Sequence, residues 1–131
     1  MKVIHHNTHG GETHNDAIFF AETMISEAGH DLLDGSVFAK KFYHAGLPDI
    51  YCRVKEKRHN GPRTINTIQN YIIEIESDLS KDNAIKKYNQ FEASNSGCKL
   101  IIINLADFKG DIQSRKELKA YIKQHLLFVE D

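Results

Sequence analysis

Residues Asn70 to Asp78 read NYIIEIESD. The isoleucines mark a β-strand with side chains directed at a core. Strand side chains alternate between faces, so Glu74 and Glu76 leave the same face. Two unit charges about 5 Å apart, at an effective dielectric near 20, repel by roughly 3 kcal/mol. Either the strand lies at an edge with both glutamates in water, or something offsets the charge. A divalent cation is the usual offset. Hard oxygen ligands on a rigid strand suit Mg²⁺ or Mn²⁺, which keep several waters and take only one or two carboxylates.

The elements around this strand set the class. Upstream, GLPDIYCRV opens with turn chemistry at Gly46 and Pro48 and continues into β-formers. KEKRHNGPR, polar throughout and containing Asn-Gly-Pro, reads as a hairpin connection. If the two strands pair across it, Asp49 comes to lie beside Glu74 at one end of the sheet. Downstream, Ser80 can cap a helix whose stripe is Ala84, Ile85, Tyr88 and Phe91. KLIIINL is a continuous apolar run that fits a strand covered on both faces. SRKELKAYIKQHLLF closes the chain as an amphipathic helix, with Leu118, Tyr121, Ile122 and His125 or Leu126 at helical intervals. Before all of these, Glu12 to Gly29 reads as a helix that stops at Gly29, and SVFAKKFY as a possible strand. A meander joined to a crossover helix predicts an α/β fold: a mixed β-sheet flanked by α-helices.

The 131 residues predict a single domain, with 40% hydrophobic and 27% charged residues and a net charge of −1. The near-neutral balance means that any nucleic-acid footprint is local. No apolar run approaches the roughly 18–20 residues that span a bilayer, so no membrane partner is expected. MKVIHHNTHGG has no apolar h-region, and Cys52 and Cys98 form no CxxC pair. The expectation is a cytoplasmic protein with reduced thiols.

The order of these elements, with PDIYCRV, YIIEIES, SKDNAIKKYNQF and KLIIIN, resembles the PD-(D/E)xK nuclease superfamily. That superfamily includes type II restriction endonucleases and archaeal Holliday-junction resolvases. The resemblance covers about Gly10 to Asn104 and implies a restriction-endonuclease-like fold and Mg²⁺- or Mn²⁺-dependent cleavage of DNA. It implies that Asp49 and Glu74 are metal ligands. The position of Glu76 is normally a lysine that orients or activates the attacking water. Some restriction endonucleases carry glutamate there, as a general base or further ligand. A missing lysine can also be replaced from the following helix, where Lys86 and Lys87 stand, and Lys87 is the preferred candidate. Many members use a glutamate on the first helix: Glu12 is the candidate catalytic residue here, with Glu22 as its fallback. Cleavage of both strands needs two sites, so a homodimer is expected, and AYIKQHLLF could supply its apolar surface.

Between the motif strands, Arg53, Lys55, Lys57, Arg58 and Arg63 are opposed only by Glu56. They are the candidate nucleic-acid-binding residues, and the alternative is a charged hairpin that blocks edge pairing. His9, His14 and Asp16 in THGGETHND somewhat resemble the metal motif of the DHH-type phosphoesterases. A histidine-cluster phosphoesterase is therefore a further reading, against a packed core role for His14. The main competitor from another class is a nucleic-acid-binding domain of the same fold that does not cut.

Overall fold

The computed structural model describes residues 11–35, 48–93, 97–111 and 114–129, with the side chains of Glu12, Glu92 and Ala93 outside that description. The possible strand at SVFAKKFY lies outside the described residues, as do His5, His6 and His9.

NYIIEIES belongs to a long strand, β3 (Arg63–Glu76), with a neighbour on each side. It pairs antiparallel with β2 (Ile50–Asn60) and parallel with β4 (Lys99–Asn104). A short strand, β1 (Asp31–Leu33), pairs antiparallel with β2, so the sheet order is β1-β2-β3-β4. Two parallel neighbours need a crossover, and helix α2 (Lys81–Ala93) supplies it on one face. Helices α1 (Gly11–Glu27) and α3 (Arg115–His125) pack on the other. The fold is α/β: a mixed sheet between helices.

Alternation along the strands builds two apolar layers. Ile50, Cys52, Val54, Ile73, Ile75 and Ile103 face α1 and α3, meeting Ile18, Ala21, Ile25, Leu118 and Ile122. Ile72 faces the other way, against Phe91 of α2. Glu74 and Glu76 share the parity of Ile72, so they do leave one face, the face under α2. Because β3 is internal, the edge-strand reading of its glutamates is corrected: Glu74 is buried at 6% exposure. Cys52 lies in the larger layer, where burial pushes its thiol up to about 12. Cys98 packs against the smaller one, so the two thiols stand on opposite faces of the sheet and form no disulfide with each other.

Helix ends follow the sequence closely. His30 N–H donates to Ile25 O at 3.2 Å and Gly29 N–H to Ser26 O at 3.0 Å. With Gly29 at φ 87°, this is a Schellman stop. Asn83 N–H donates to Ser80 Oγ at 3.2 Å, and Glu117 N–H to Ser114 Oγ at 3.3 Å, capping α2 and α3.

Three expectations are corrected. KEKRHNGPR is not a loop: β2 and β3 stay paired out to Asn60↔Arg63 and turn only at Gly61-Pro62. Its polarity reports exposure, while Thr64, Ile65, Thr67 and Ile68 favour strand on the returning leg. Gly61 at φ 63° before a proline has the sign pattern of a type II′ hairpin turn. The second correction is small: KLIIINL is covered on both faces, Ile101 and Ile103 against the larger layer and Leu100 against the smaller, but Leu105 has already left the strand for a 3₁₀ turn. The third concerns α2: only Phe91 of its stripe is buried, and Ile85 remains 57% exposed because α2 covers little beyond Ile72.

Candidate active site

Register explains the site. Ile50 pairs with Ile73, and continuing the count puts Asp49 opposite Glu74 and Pro48 opposite Ile75. Proline has no N–H and cannot extend the ladder, so the backbone of Ile75 needs other partners. Asp49 Oδ2 accepts from Ile75 N–H at 2.8 Å. His14 Nε2, from α1, donates to Ile75 O at 2.7 Å and stands 3.6 Å from the same Asp49 oxygen. His14 is thus a buried histidine with a structural bond, and its Nδ1 has no partner among the described residues.

The register puts the buried carboxyls of Asp49 and Glu74 side by side on neighbouring strands, close enough to affect each other's charge. Two buried carboxyls side by side are costly to keep as bare charges. Burial raises the Asp49 pKa, with a smaller push from Glu76, while Ile75 N–H, the His14 ring and Glu74 pull it down. The pair is therefore a place that retains a proton or takes up a cation.

From α2, Lys87 reaches over both glutamates. Its Nζ lies 3.9 Å from Glu74 Oε2 and donates to Glu76 Oε1. The repulsion that the sequence leaves unexplained is offset here by an ammonium inside the chain. Successive helical residues point about 100° apart, so only one of Lys86 and Lys87 can face the sheet. Lys87 does, and Lys86 is exposed.

No family model, curated protein or solved structure matches this chain. The site must be read from its own geometry. Among the described residues, no group of three or more His, Cys, Asp or Glu side chains is gathered to hold a metal. Asp49 and Glu74 could supply two carboxylates, a donor set that fits Mg²⁺ or Mn²⁺ completed by water and phosphate.

The remaining candidates scatter. Glu12 lies in the first turn of α1, but its side chain is outside the described residues. Glu22 is eight residues beyond His14, about 12 Å along the helix, and does not reach the carboxylates. Burial pushes its carboxyl up to about 7. His14 and Asp16 diverge: Asp16 pairs with Arg115 of α3 at 3.8 Å, so the two do not share a site. Sequence reading missed Asn104. Its side chain accepts from Leu79 N–H at 3.3 Å and donates to Leu79 O at 2.6 Å, fixing the connection just after Glu76. The available clue was its place at the end of an apolar strand.

The basic residues are split by alternation. Arg53, Lys55 and Lys57 lie on the face of Glu74, and Arg58 and Arg63 on the opposite face. Lys55 is paired with Asp31 at 3.3 Å. Along β2, Arg53 is about 13 Å from Asp49 and Lys57 about 26 Å, so these cations lead away from the carboxylates as a track.

Glu22 yields a direct test. A folded pKa raised from 4.5 to about 7 adds stability below 4.5 that is lost as pH climbs to 7. Glu22→Gln should therefore raise the Tm at pH 8 and leave it unchanged near pH 4. After allowing for the solvent that reaches this half-buried group, the gain is about 1 kcal/mol. Equal melting shifts at both pH values would exclude this account.

Proposed function

We propose that this chain is a small metal-dependent DNA endonuclease of restriction-endonuclease-like architecture, hydrolysing phosphodiester bonds. The reading is carried by the convergence of Asp49, Glu74, Glu76 and Lys87 at one end of the sheet. A bound Mg²⁺ or Mn²⁺ would acidify a water and neutralise charge on the scissile phosphate. Asp49 and Glu74 would hold it. Asp49 is preorganised by the Ile75 N–H, which fixes one carboxylate oxygen before any ligand arrives.

Lys87 plays the part of the lysine that is absent at position 76. Its ammonium can orient the attacking water or face the charge that builds on the phosphate. Glu76 holds that ammonium in place, and when Lys87 turns to phosphate it is free to accept the water's proton. The exposed cations of the ribbon supply phosphate contacts. A homodimer pairs two such sites for the two strands of a duplex, and Leu127, 80% exposed, offers an apolar anchor for it. Among the described residues no helix is long and apolar enough to cross a membrane.

Incubation with plasmid, branched and single-stranded DNA tests this reading. Cleavage should require Mg²⁺ or Mn²⁺ and stop with a chelator. Binding without cleavage under every condition would replace the nuclease with a non-cutting nucleic-acid-binding domain.

A further inference from the structure

The strand pairing is uneven along its length. β1 accompanies β2 only at Tyr51–Arg53, and β4 accompanies β3 only from Tyr71 onward. Past these points no third strand among the described residues accompanies β2 and β3 to the turn at Gly61-Pro62. The part beyond the bonds that Lys55 makes to His30 and Asp31, from Glu56 to Asn60 and back, projects about 13 Å. Every residue from Lys57 to Asn66 is exposed. A lone two-stranded ribbon gains little by itself in water, so this one invites a partner along its length.

Its chemistry selects that partner. From Lys57 to Asn70 there is no acidic residue, whereas Lys57, Arg58, His59 and Arg63 are basic. Among the described residues, Lys57, Arg58 and Arg63 make no ion pair. The cross-strand pairs put Lys57 on one face and Arg58 and Arg63 on the other. A flat anionic surface would use one face. Charge on both faces suits a cleft with phosphates on either wall. The major groove of B-form DNA is about 12 Å wide and about 8.5 Å deep, and it admits a two-stranded ribbon. Exposed Ile65 and Asn66 add side chains of the kinds that meet a thymine methyl and an adenine edge.

We infer that the β2–β3 ribbon is an arm that enters the major groove of B-form duplex DNA. This rests on the nuclease reading for the identity of the duplex, and it names the duplex form. An A-form RNA duplex, with its deep and narrow major groove, is excluded as a target.

The test compares binding of the full chain with that of an arm-less variant, in which residues 57–66 are replaced by Asn-Gly so that Glu56 still pairs with Thr67. A second variant, Lys57→Gln/Arg58→Gln/Arg63→Gln, keeps the ribbon and covers a failure of the first to fold. Probes are a duplex DNA, the same sequence as duplex RNA, and single-stranded DNA, each titrated at several salt concentrations. The wild-type chain should prefer duplex DNA to duplex RNA at least tenfold. Both variants should lose that preference, and the salt slope on DNA should fall by about 2 to 3, one unit for each cation removed. Unchanged DNA affinity and slope in the variants overturn the arm, as does equal, arm-dependent binding of duplex RNA. A concentration-dependent dimer lost in the arm-less variant, with DNA binding intact, assigns the ribbon to edge pairing instead. Arm-dependent DNA binding without cleavage keeps the arm and removes the nuclease. Cleavage with full affinity in the arm-less variant does the reverse.

Discussion

Asp49→Asn is expected to reduce metal-dependent cleavage by at least about 100-fold, the scale on which a single preorganised charge-stabilising group acts, while the fold survives. Asparagine keeps an oxygen that accepts from Ile75 N–H, which Asp49 Oδ2 meets at 2.8 Å. What it loses is the anion. Asp49→Ala is a poorer probe, since it strands a buried N–H at about 1–3 kcal/mol and mixes stability with chemistry. The pH dependence separates the two effects. Burial raises the Asp49 pKa above the ordinary 3.8. A raised acid adds stability below 3.8 that is lost as pH rises through its folded value. Above that value the wild type holds a buried charge that the asparagine variant lacks, so the variant should melt no lower than wild type at neutral pH. Cleavage by the wild type should fall as pH drops through the same raised value, because a protonated carboxyl is a poor ligand. Cleavage kinetics and thermal melts across pH check both. Full activity in Asp49→Asn would mean that the chemistry happens elsewhere.

Lys87→Met should have the other large effect, on stability and activity together. The aliphatic stem is retained, but the ammonium that bridges Glu74 and Glu76 is removed. The carboxylates are then left with the repulsion of roughly 3 kcal/mol that their spacing implies, lowered by partial solvent access at Glu76. An expected loss of about 1–3 kcal/mol translates to a drop of several degrees in Tm for a chain of this size. Millimolar Mg²⁺ or Mn²⁺ should recover more of the melting temperature in the variant than it adds to the wild type, since the divalent ion replaces the missing positive charge. Cleavage should remain low even with metal present, because the ammonium is also the group placed to meet the phosphate. A destabilised variant that no divalent cation rescues would count against a metal at Asp49 and Glu74 and leave Lys87 as a structural ion pair.

Much of the frame was legible in local chemistry. Gly29 and Ser80 mark helix ends because capping is decided by a few adjacent residues. The β-branched runs announced strands, and the alternation of Glu74 and Glu76 announced a shared face. The polar ribbon was misread because polarity tells exposure, and an exposed ribbon can still be paired.

The sequence by itself determined the three helices and strands β2, β3 and β4 in their order, and the like-charge pair at 74 and 76, all consequences of side-chain period and backbone preference, while the short strand β1 came only with the structure. Only the tertiary structure decided what answers that pair. Strand register put Asp49 against Glu74, the lack of an N–H at Pro48 brought His14 to Ile75, and the phase of α2 turned Lys87 rather than Lys86 onto the glutamates. Each depends on contacts between residues far apart in the chain, here 11 to 61 positions. Spacing along the sequence cannot express them, because they are set by how the packed layers meet.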